Sequence, residues 1–204
     1  MMRRFAFCLL PSVLLALAAC RFWVPATAPN PDPNHTHADF AVWLDGEQLD
    51  FSGPEFMSGS SKDEPAGEHQ DRDHKHPYFH LHDGNGHVIH RHKPGLALKD
   101  FFDSLRVGFD DHCYSSGVPM ADGQICSKHP WRMFVNGKEV SFNLSYVFED
   151  ADHILVTTAV DQADVDRELQ KMTDDACLYS QTCLQRGKPP VENCVADPEV
   201  PCTE

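Results

Sequence analysis

The chain has 204 residues, with 17 basic and 31 acidic side chains and a formal net charge of −14 at pH 7. This length allows one or two small domains. So acidic a chain repels nucleic acid and anionic lipid, and we therefore expect no nucleic-acid partner. A negative charge is compatible with cation binding, although it often serves solubility alone.

The first twenty residues predict export. M-M-R-R (residues 1–4) is a short basic region, and residues 5–19 form an apolar run too short for a membrane span. The run ends in L-A-A-C (residues 17–20), which resembles the lipobox of bacterial lipoproteins. The resemblance implies that residues 1–19 are a signal peptide and that Cys20 is lipidated. An ordinary cleaved signal peptide is the alternative.

The predicted location is the cell envelope, outside the cytoplasm. In the lipoprotein family an Asp after the lipidated Cys is associated with retention in the inner membrane, and here Arg21 follows Cys20. The resemblance therefore implies the outer membrane, if the cell has one. Residues 20–34 contain four prolines and are predicted to form an extended tether. We expect contact with the membrane through the lipid alone.

Cysteine usage agrees with an exported protein. Cys8 lies in the signal peptide and Cys20 is the lipidation candidate, which leaves six of the eight cysteines. An even number in an exported chain predicts three disulfides, one local and two within the tail. The order of the cysteines suggests Cys113 with Cys126 as the local pair, but six cysteines allow fifteen pairings and the sequence does not choose among them. The tail cysteines are Cys177, Cys183, Cys194 and Cys202. No C-x-x-C motif occurs, which argues against a thiol oxidoreductase, although a role as a thiol–disulfide partner protein stays open.

Residues 35–160 are predicted to form a histidine-rich α+β domain. An Asp-Gly pair at 45–46 between apolar runs predicts a first hairpin. Residues 52–77 are predicted to form a long polar loop without helix. After a histidine-rich hairpin at 78–92, apolar residues at helical spacing predict a helix from about 97 to 105.

The second half of the chain continues with strands. Residues 110–130 are predicted to form a loop closed by the first cysteine pair. Residues 131–142 read as a hairpin with an Asn-Gly turn, and residues 146–160 as an acidic turn and a last strand. In the predicted tail, 161–204, a short amphipathic helix at 164–172 precedes the remaining cysteines.

Two motifs suggest the fold. "WRMFVNGKEV" (131–140) followed by "YVFEDADHILVTT" (146–158) resembles the strand pair of the ubiquitin-like β-grasp domain at the end of transcobalamin-type proteins. The resemblance covers about residues 78–160. It implies an α+β fold, a small mixed sheet with one main helix, here followed by a disulfide-rich tail. No cobalamin-binding motif matches, and the histidine-rich hairpin departs from the family pattern.

The hairpin "FHLHDGNGHVIHRH" (79–92) carries five of the thirteen histidines. Alternation along a strand places the two members of each H-x-H on one face. A three-residue loop at 84–86, with Gly86 in the left-handed conformation, would set His80 opposite His90. One face then carries Tyr78 and the four histidines of the two H-x-H pairs, and the other face carries apolar side chains. The apolar side chains are Phe79, Leu81 and Ile89.

Imidazoles on opposed strands can converge on one divalent ion. An upstream H-x-H with an acid in phase would complete this site or make a second one if its strand adjoins the hairpin. The predicted ligands are His80, His82, His90, His92, His35, His37 and Asp39. Imidazole and carboxylate suit zinc or copper(II), which the sequence does not distinguish. In the polar loop, His74 and His76 are candidates for a flexible collector of ions.

The leading interpretation is a membrane-anchored, extracytoplasmic metal-binding lipoprotein that captures or buffers zinc or copper. A binding role is favoured over an enzymatic one, which the sequence leaves open, and the sequence does not identify a protein partner. A zinc-dependent hydrolase is an alternative, for which Glu47, Glu55 and Asp39 are candidate bases by residue type only. A pH-responsive interaction or adhesion module without metal is another, because clustered imidazoles become charged below about pH 6. The isolated histidines His112, His129 and His153 read as ordinary surface residues.

Overall fold

A computed structural model describes residues 28–58, 76, 78–117, 123–188 and 190. The predicted signal peptide and the lipidation site Cys20 lie outside these residues, as do His74, Cys194 and Cys202. In the described part of the chain, no helix is both long and apolar enough to cross a membrane.

The predicted α+β class is confirmed, with a larger mixed sheet, a smaller sheet and three short α-helices in the described residues. The strands are β1 (Thr36–Leu44), β2 (Glu47–Gln48), β3 (Phe79–His80), β4 (Val88–Arg91), β5 (Val107–Asp110), β6 (Cys113–Ser116), β7 (Gly123–Cys126), β8 (Arg132–Val135), β9 (Lys138–Val140) and β10 (Asp152–Thr157). The helices are α1 (Leu98–Ser104), α2 (Gln162–Lys171) and α3 (Ala176–Tyr179), and a 3-10 turn follows at Leu184–Arg186.

The larger sheet has the order β3-β4-β1-β10-β8-β9, with β2 paired to β1. Its two central strands, β1 and β10, are parallel, and β4 and β8 flank them in antiparallel orientation. This is a β-grasp-like sheet, as the resemblance implied. The sheet begins earlier than residues 78–160, however, because β1 supplies its first central strand and β3 is an additional edge strand.

Both predicted two-residue hairpin turns are present. Asp45 and Gly46 have φ values of 49° and 84°, and Asn136 and Gly137 have 52° and 74°. Positive φ at both central residues is the turn geometry that matches the twist of paired strands. The turns join β1 to β2 and β8 to β9, so the Asp-Gly and Asn-Gly pairs were sufficient signals.

The predicted main helix is α1, and it packs on one face of the sheet. Phe101 contacts Phe40 of β1 and Phe79 of β3, with ring centroids 5.2 and 5.4 Å apart. Leu81 and Ile89 are fully buried in the same cluster, as the alternation predicted. The core therefore lies between α1 and the even-numbered residues of β1.

Two further helices cover the opposite face. The predicted helix at 164–172 is α2, which buries Val165 against Ala41 and Trp43 of β1. Helix α3, which the sequence did not predict, packs against β1. The disulfide between Cys177, which lies in α3, and Cys183 links this helix to the residues that follow it.

The expected loop at 110–130 is wrong in its described part. Strands β5, β6 and β7 form a separate three-stranded antiparallel sheet there. Cys113 and Cys126 are directly opposed on β6 and β7 and form the predicted local disulfide. These short strands mix cysteine, serine and glycine, so they carry little apolar alternation for sequence reasoning to detect.

The polar loop at 52–77 contains apolar anchors where it is described. Phe56 is buried in the main core and contacts Phe51, with ring centroids 5.2 Å apart. Met57 forms an isolated bridge with Leu81. The segment therefore packs against the histidine-rich hairpin before it leaves the described residues.

Candidate metal centre

Three neighbouring strands each present histidines on the face opposite α1. Strand β4 lies between β3 and β1, and His90 is directly opposed to His80 on one side and to His37 on the other. The predicted pairing of His80 with His90 is confirmed. The upstream H-x-H also lies next to the hairpin, because β1 pairs with β4.

The turn of the hairpin differs from the prediction. The left-handed residues are Asp83 and Gly84, with φ values of 58° and 72°, and Gly86 is not left-handed. Instead, a Cβ on Gly86 would lie 2.4 Å from the carbonyl carbon of Phe51. Glycine is required here for a close approach of two backbone segments, which a turn-based argument does not detect.

Six imidazoles form a closed ring of neighbours. Successive ring centroids lie 4.4, 4.8, 4.1, 5.7, 4.9 and 4.0 Å apart in the order His35, His37, His90, His82, His80, His92 and back to His35. We call this set the histidine cluster. All six predicted histidine ligands belong to it.

The histidine cluster is largely sequestered from solvent. His90 and His37 are 0% and 1% exposed, whereas His35 and His82 at opposite ends are only partly buried. Tyr179 of α3 contributes to the cover, with its ring edge-on to His90 at a centroid distance of 4.7 Å. The Tyr179 hydroxyl accepts a hydrogen bond from the side-chain amide of Asn85 in the hairpin turn, at 3.0 Å.

His37 is oriented by two residues distant in sequence. Its Nδ1 lies 2.8 Å from Ser180 Oγ, and Ser180 donates its hydroxyl proton to Asp150 Oδ1. Because a serine hydroxyl has a single proton, His37 Nδ1 must be the donor to Ser180. This fixes the tautomer and leaves Nε2 of His37 as an acceptor. Asp150 also accepts a hydrogen bond from the backbone N–H of His37, at 3.0 Å.

The Nε2 acceptor of His37 faces a second imidazole. His35 Nε2 lies 3.1 Å away, and His90 provides a third nitrogen, all three within 4.8 Å of one another. Two nitrogens bound to one tetrahedral ion at about 2.0–2.1 Å are about 3.3 Å apart. The first pair already has this spacing, and a modest side-chain movement brings in His90. We call His35, His37 and His90 the first triad.

The other predicted ligands take different positions. His80, His82 and His92 belong to the histidine cluster but not to the first triad. Asp39 lies further along β1, where its carboxylate accepts hydrogen bonds from Thr173 Oγ1 and from the backbone N–H groups of Asp175 and Ala176. Asp39 therefore attaches the segment that begins α3 to the sheet.

A second group of possible ligands surrounds Asp39. His153 Nε2 lies 3.6 Å from Asp39 and 3.1 Å from Asp174, whose carboxylate also pairs with Arg186 at 2.9 Å. Three donors already occupy the Asp39 oxygens, and a guanidinium occupies Asp174. These contacts hold the tail on the sheet, and this role explains the arrangement better than a cation site does. We call this group of contacts the Asp39 latch. His153, expected to be an isolated surface residue, is part of it.

A third group contains His112 with Cys113 and Cys126. The two cysteines are joined in a disulfide, and only a thiolate binds a metal ion well. In the oxidised protein this group therefore has one ligand, His112. The histidine cluster is the strongest candidate among the described residues.

The collector histidine that the structure describes is His76. It lies against Tyr78 and Phe79 of the hairpin, with ring centroids 6.3 and 6.4 Å away. Burial lowers the pKa of His76 below its ordinary value, an effect that the nearby Asp100 carboxylate partly opposes. The lowered pKa favours the neutral form of the His76 imidazole.

Sequence reasoning missed Asp150, Tyr179 and Ser180. Asp150 and Ser180 contact His37 across 113 and 143 residues of chain. Asp150 lies in the acidic turn of the 146–158 motif and Ser180 in no motif, and no local pattern connects either residue with the histidines. The parallel pairing of β1 with β10 brings Asp150 to His37, and the packing of α3 against β1 brings Ser180 there.

Comparison with protein-family models, with curated proteins and with solved structures finds no match.

Proposed function

We propose that this chain is a membrane-anchored, extracytoplasmic metal-binding lipoprotein that captures or buffers zinc or copper(II). The observation that carries the proposal is the first triad, in which His37 has a fixed tautomer and directs Nε2 towards His35 Nε2 at 3.1 Å. Metal-binding histidines characteristically donate a hydrogen bond from the N–H of their second ring nitrogen to a carboxylate or another acceptor, which orients the ring. The Ser180–Asp150 pair performs this role for His37.

The ligand chemistry supports zinc or copper(II) equally. Imidazole nitrogens suit both ions, whereas copper(I) prefers thiolate and thioether ligands. Cys113, Cys126, Cys177 and Cys183 are oxidised, so they do not offer thiolates. The proposal therefore concerns the divalent ions.

The lipoprotein part of the proposal rests on the L-A-A-C motif at 17–20 and the proline-containing tether at 20–34. His35 follows directly after that tether. The first ligand thus lies at the point where the folded domain begins, on the membrane-proximal end of the chain.

A binding role is favoured over hydrolysis. Glu47, one candidate base, pairs with Leu44 at the far end of β1. Seven residues of strand separate Leu44 from His37, about 23 Å at about 3.3 Å per residue. Tyr179 also packs against His90 and covers its ring. Capture of an ion requires neither a base nor a substrate cleft.

The test is titration calorimetry with metal analysis of the purified, tag-free mature chain. We expect zinc and copper(II) to bind, and the double substitution His37→Ala with His90→Ala to abolish binding at the first triad. His129→Ala is the matched control, because it removes an exposed imidazole far from the cluster. Unchanged affinity in the double variant would exclude the first triad as the binding site.

A further inference from the structure

We propose that the histidine cluster holds two divalent ions, which share His90. The first ion lies at the first triad, and the second is bound by His80, His82 and the other ring nitrogen of His90. We call His80, His82 and His90 the second triad. This inference rests on the proposed function, and it specifies the stoichiometry and ligand set of the same site.

The position of His90 is the first argument. Strand β4 is the middle one of three, so His90 has a directly opposed histidine on each side, His37 and His80. Its ring centroid lies 4.8 Å from His37, 5.8 Å from His80 and 4.1 Å from His82. An imidazole has two nitrogens on opposite edges of the ring. A central ring can bind one ion on each side once its remaining N–H proton has passed to solvent, because both nitrogens then have a free lone pair.

The two triads have similar dimensions. The ring centroids of the first triad are 4.4, 4.8 and 6.4 Å apart, and those of the second triad are 4.1, 5.7 and 5.8 Å apart. With metal–nitrogen bonds of about 2.0–2.1 Å, two imidazoles on a tetrahedral ion have centroids about 5 Å apart. Both sets bracket that value. The nitrogens of the first triad lie within 4.8 Å of one another, and the second triad reaches the same spacing through side-chain rotation.

The second triad also contains a histidine with a fixed tautomer. His82 Nδ1 lies 3.0 Å from Asp83 Oδ2. An ionised carboxylate only accepts hydrogen bonds, so Nδ1 of His82 is the donor and Nε2 is the acceptor. His82 and Asp83 thus reproduce, on the hairpin side, what His37 has with Ser180 and Asp150. Each triad has one carboxylate-linked histidine, as metal sites commonly have.

Solvent exposure and charge agree with two ions. Both ring nitrogens of His90 are buried, and the partly exposed rings are His35 in the first triad and His82 in the second. Each triad therefore has one partly exposed histidine, past which an ion can enter from solvent. Asp150 and Asp83 place one carboxylate beside each triad.

Copper(II) titration of the mature chain, followed by metal analysis and electron paramagnetic resonance, tests the proposal. We expect two ions per chain. The resonance intensity should rise with the first equivalent and fall with the second, because a shared imidazole couples the two unpaired electrons. The double variant His80→Ala with His82→Ala should bind one copper(II) ion and show the full resonance intensity of one uncoupled ion. The His129→Ala variant should behave as the unchanged chain.

The outcomes separate the two proposals. One ion per chain that is unaffected by the loss of His80 and His82 would overturn the second triad but leave the first intact. Two ions with full resonance intensity would overturn the sharing of His90. Absence of binding would overturn the proposed function itself. The variant His80→Gln with His82→Gln, which preserves side-chain polarity, guards against a folding defect, and circular dichroism of each variant verifies the fold.

Discussion

The two faces of the larger sheet differ in what holds them together. The face under α1 is an aromatic core, in which Phe101 packs on Phe79. The opposite face carries the histidine cluster and the Asp39 latch, and polar contacts attach α3 to it. The first face stabilises the fold, and the second positions the candidate metal ligands. Burial alone therefore does not indicate a structural role, because His90 is as buried as Phe101.

The largest expected effect is on the aromatic face. Phe101→Ala should reduce the free energy of unfolding by about 3–5 kcal/mol, because it removes a fully buried aromatic ring and leaves a cavity. Chemical denaturation measures this loss. The folded fraction should still bind the same number of ions, since Phe101 lies on the other side of the sheet. A reduced ion count in folded Phe101→Ala protein would contradict the separation of the two faces.

A smaller effect is expected on the ligand-positioning face. Ser180→Ala removes the acceptor of His37 Nδ1–H, so the ring loses its fixed orientation. Loss of such a partner typically lowers metal affinity by about 10–100-fold. Competition against a chromogenic chelator measures the change. The exposed Ser145→Ala is the control, and equal affinities in the two variants would show that Ser180 does not position His37.

The smallest expected effect concerns Glu168 of α2, which is 1% exposed. Burial raises the pKa of Glu168, nearby Asp164 adds to the increase, and the Thr157 side chain, Arg167 and Lys171 oppose it. An acid with a raised pKa in the folded state contributes stability at low pH, and this contribution is lost as the pH rises through that pKa. Glu168→Gln is neutral at every pH and avoids the loss.

We therefore expect Glu168→Gln to raise the thermal midpoint by roughly 2–4 °C at pH 8, as a gain of about 1 kcal/mol would do in a protein of this size. The gain should shrink as the pH falls towards 4. Thermal melts at several pH values measure this trend. Asp166→Asn, an exposed change on the same helix, is the control. A pH-independent gain would mean that charge burial is not its cause.

Local signals predicted the elements well but left part of the site undetected. The Asp-Gly and Asn-Gly pairs predicted two turns, and helical spacing predicted α1 and α2, because dihedral preference and periodicity act over a few residues. Strands β5 to β7 were missed, since their alternation is weak. The prediction of a left-handed Gly86 was wrong, because the contact that requires glycine there is not local. Gly86 approaches the backbone of Phe51, 35 positions earlier in the chain.

The sequence by itself determined which side chains share a face. Once the hairpin register is set by burying Phe79 and Ile89, the histidines must point the other way, because side chains alternate along a strand. The tertiary structure decided which of them meet. Placing β1 between β4 and β10 brought His37 beside His90, and packing α3 on β1 brought Ser180 to His37. These contacts join residues far apart in the chain, and no local preference encodes them.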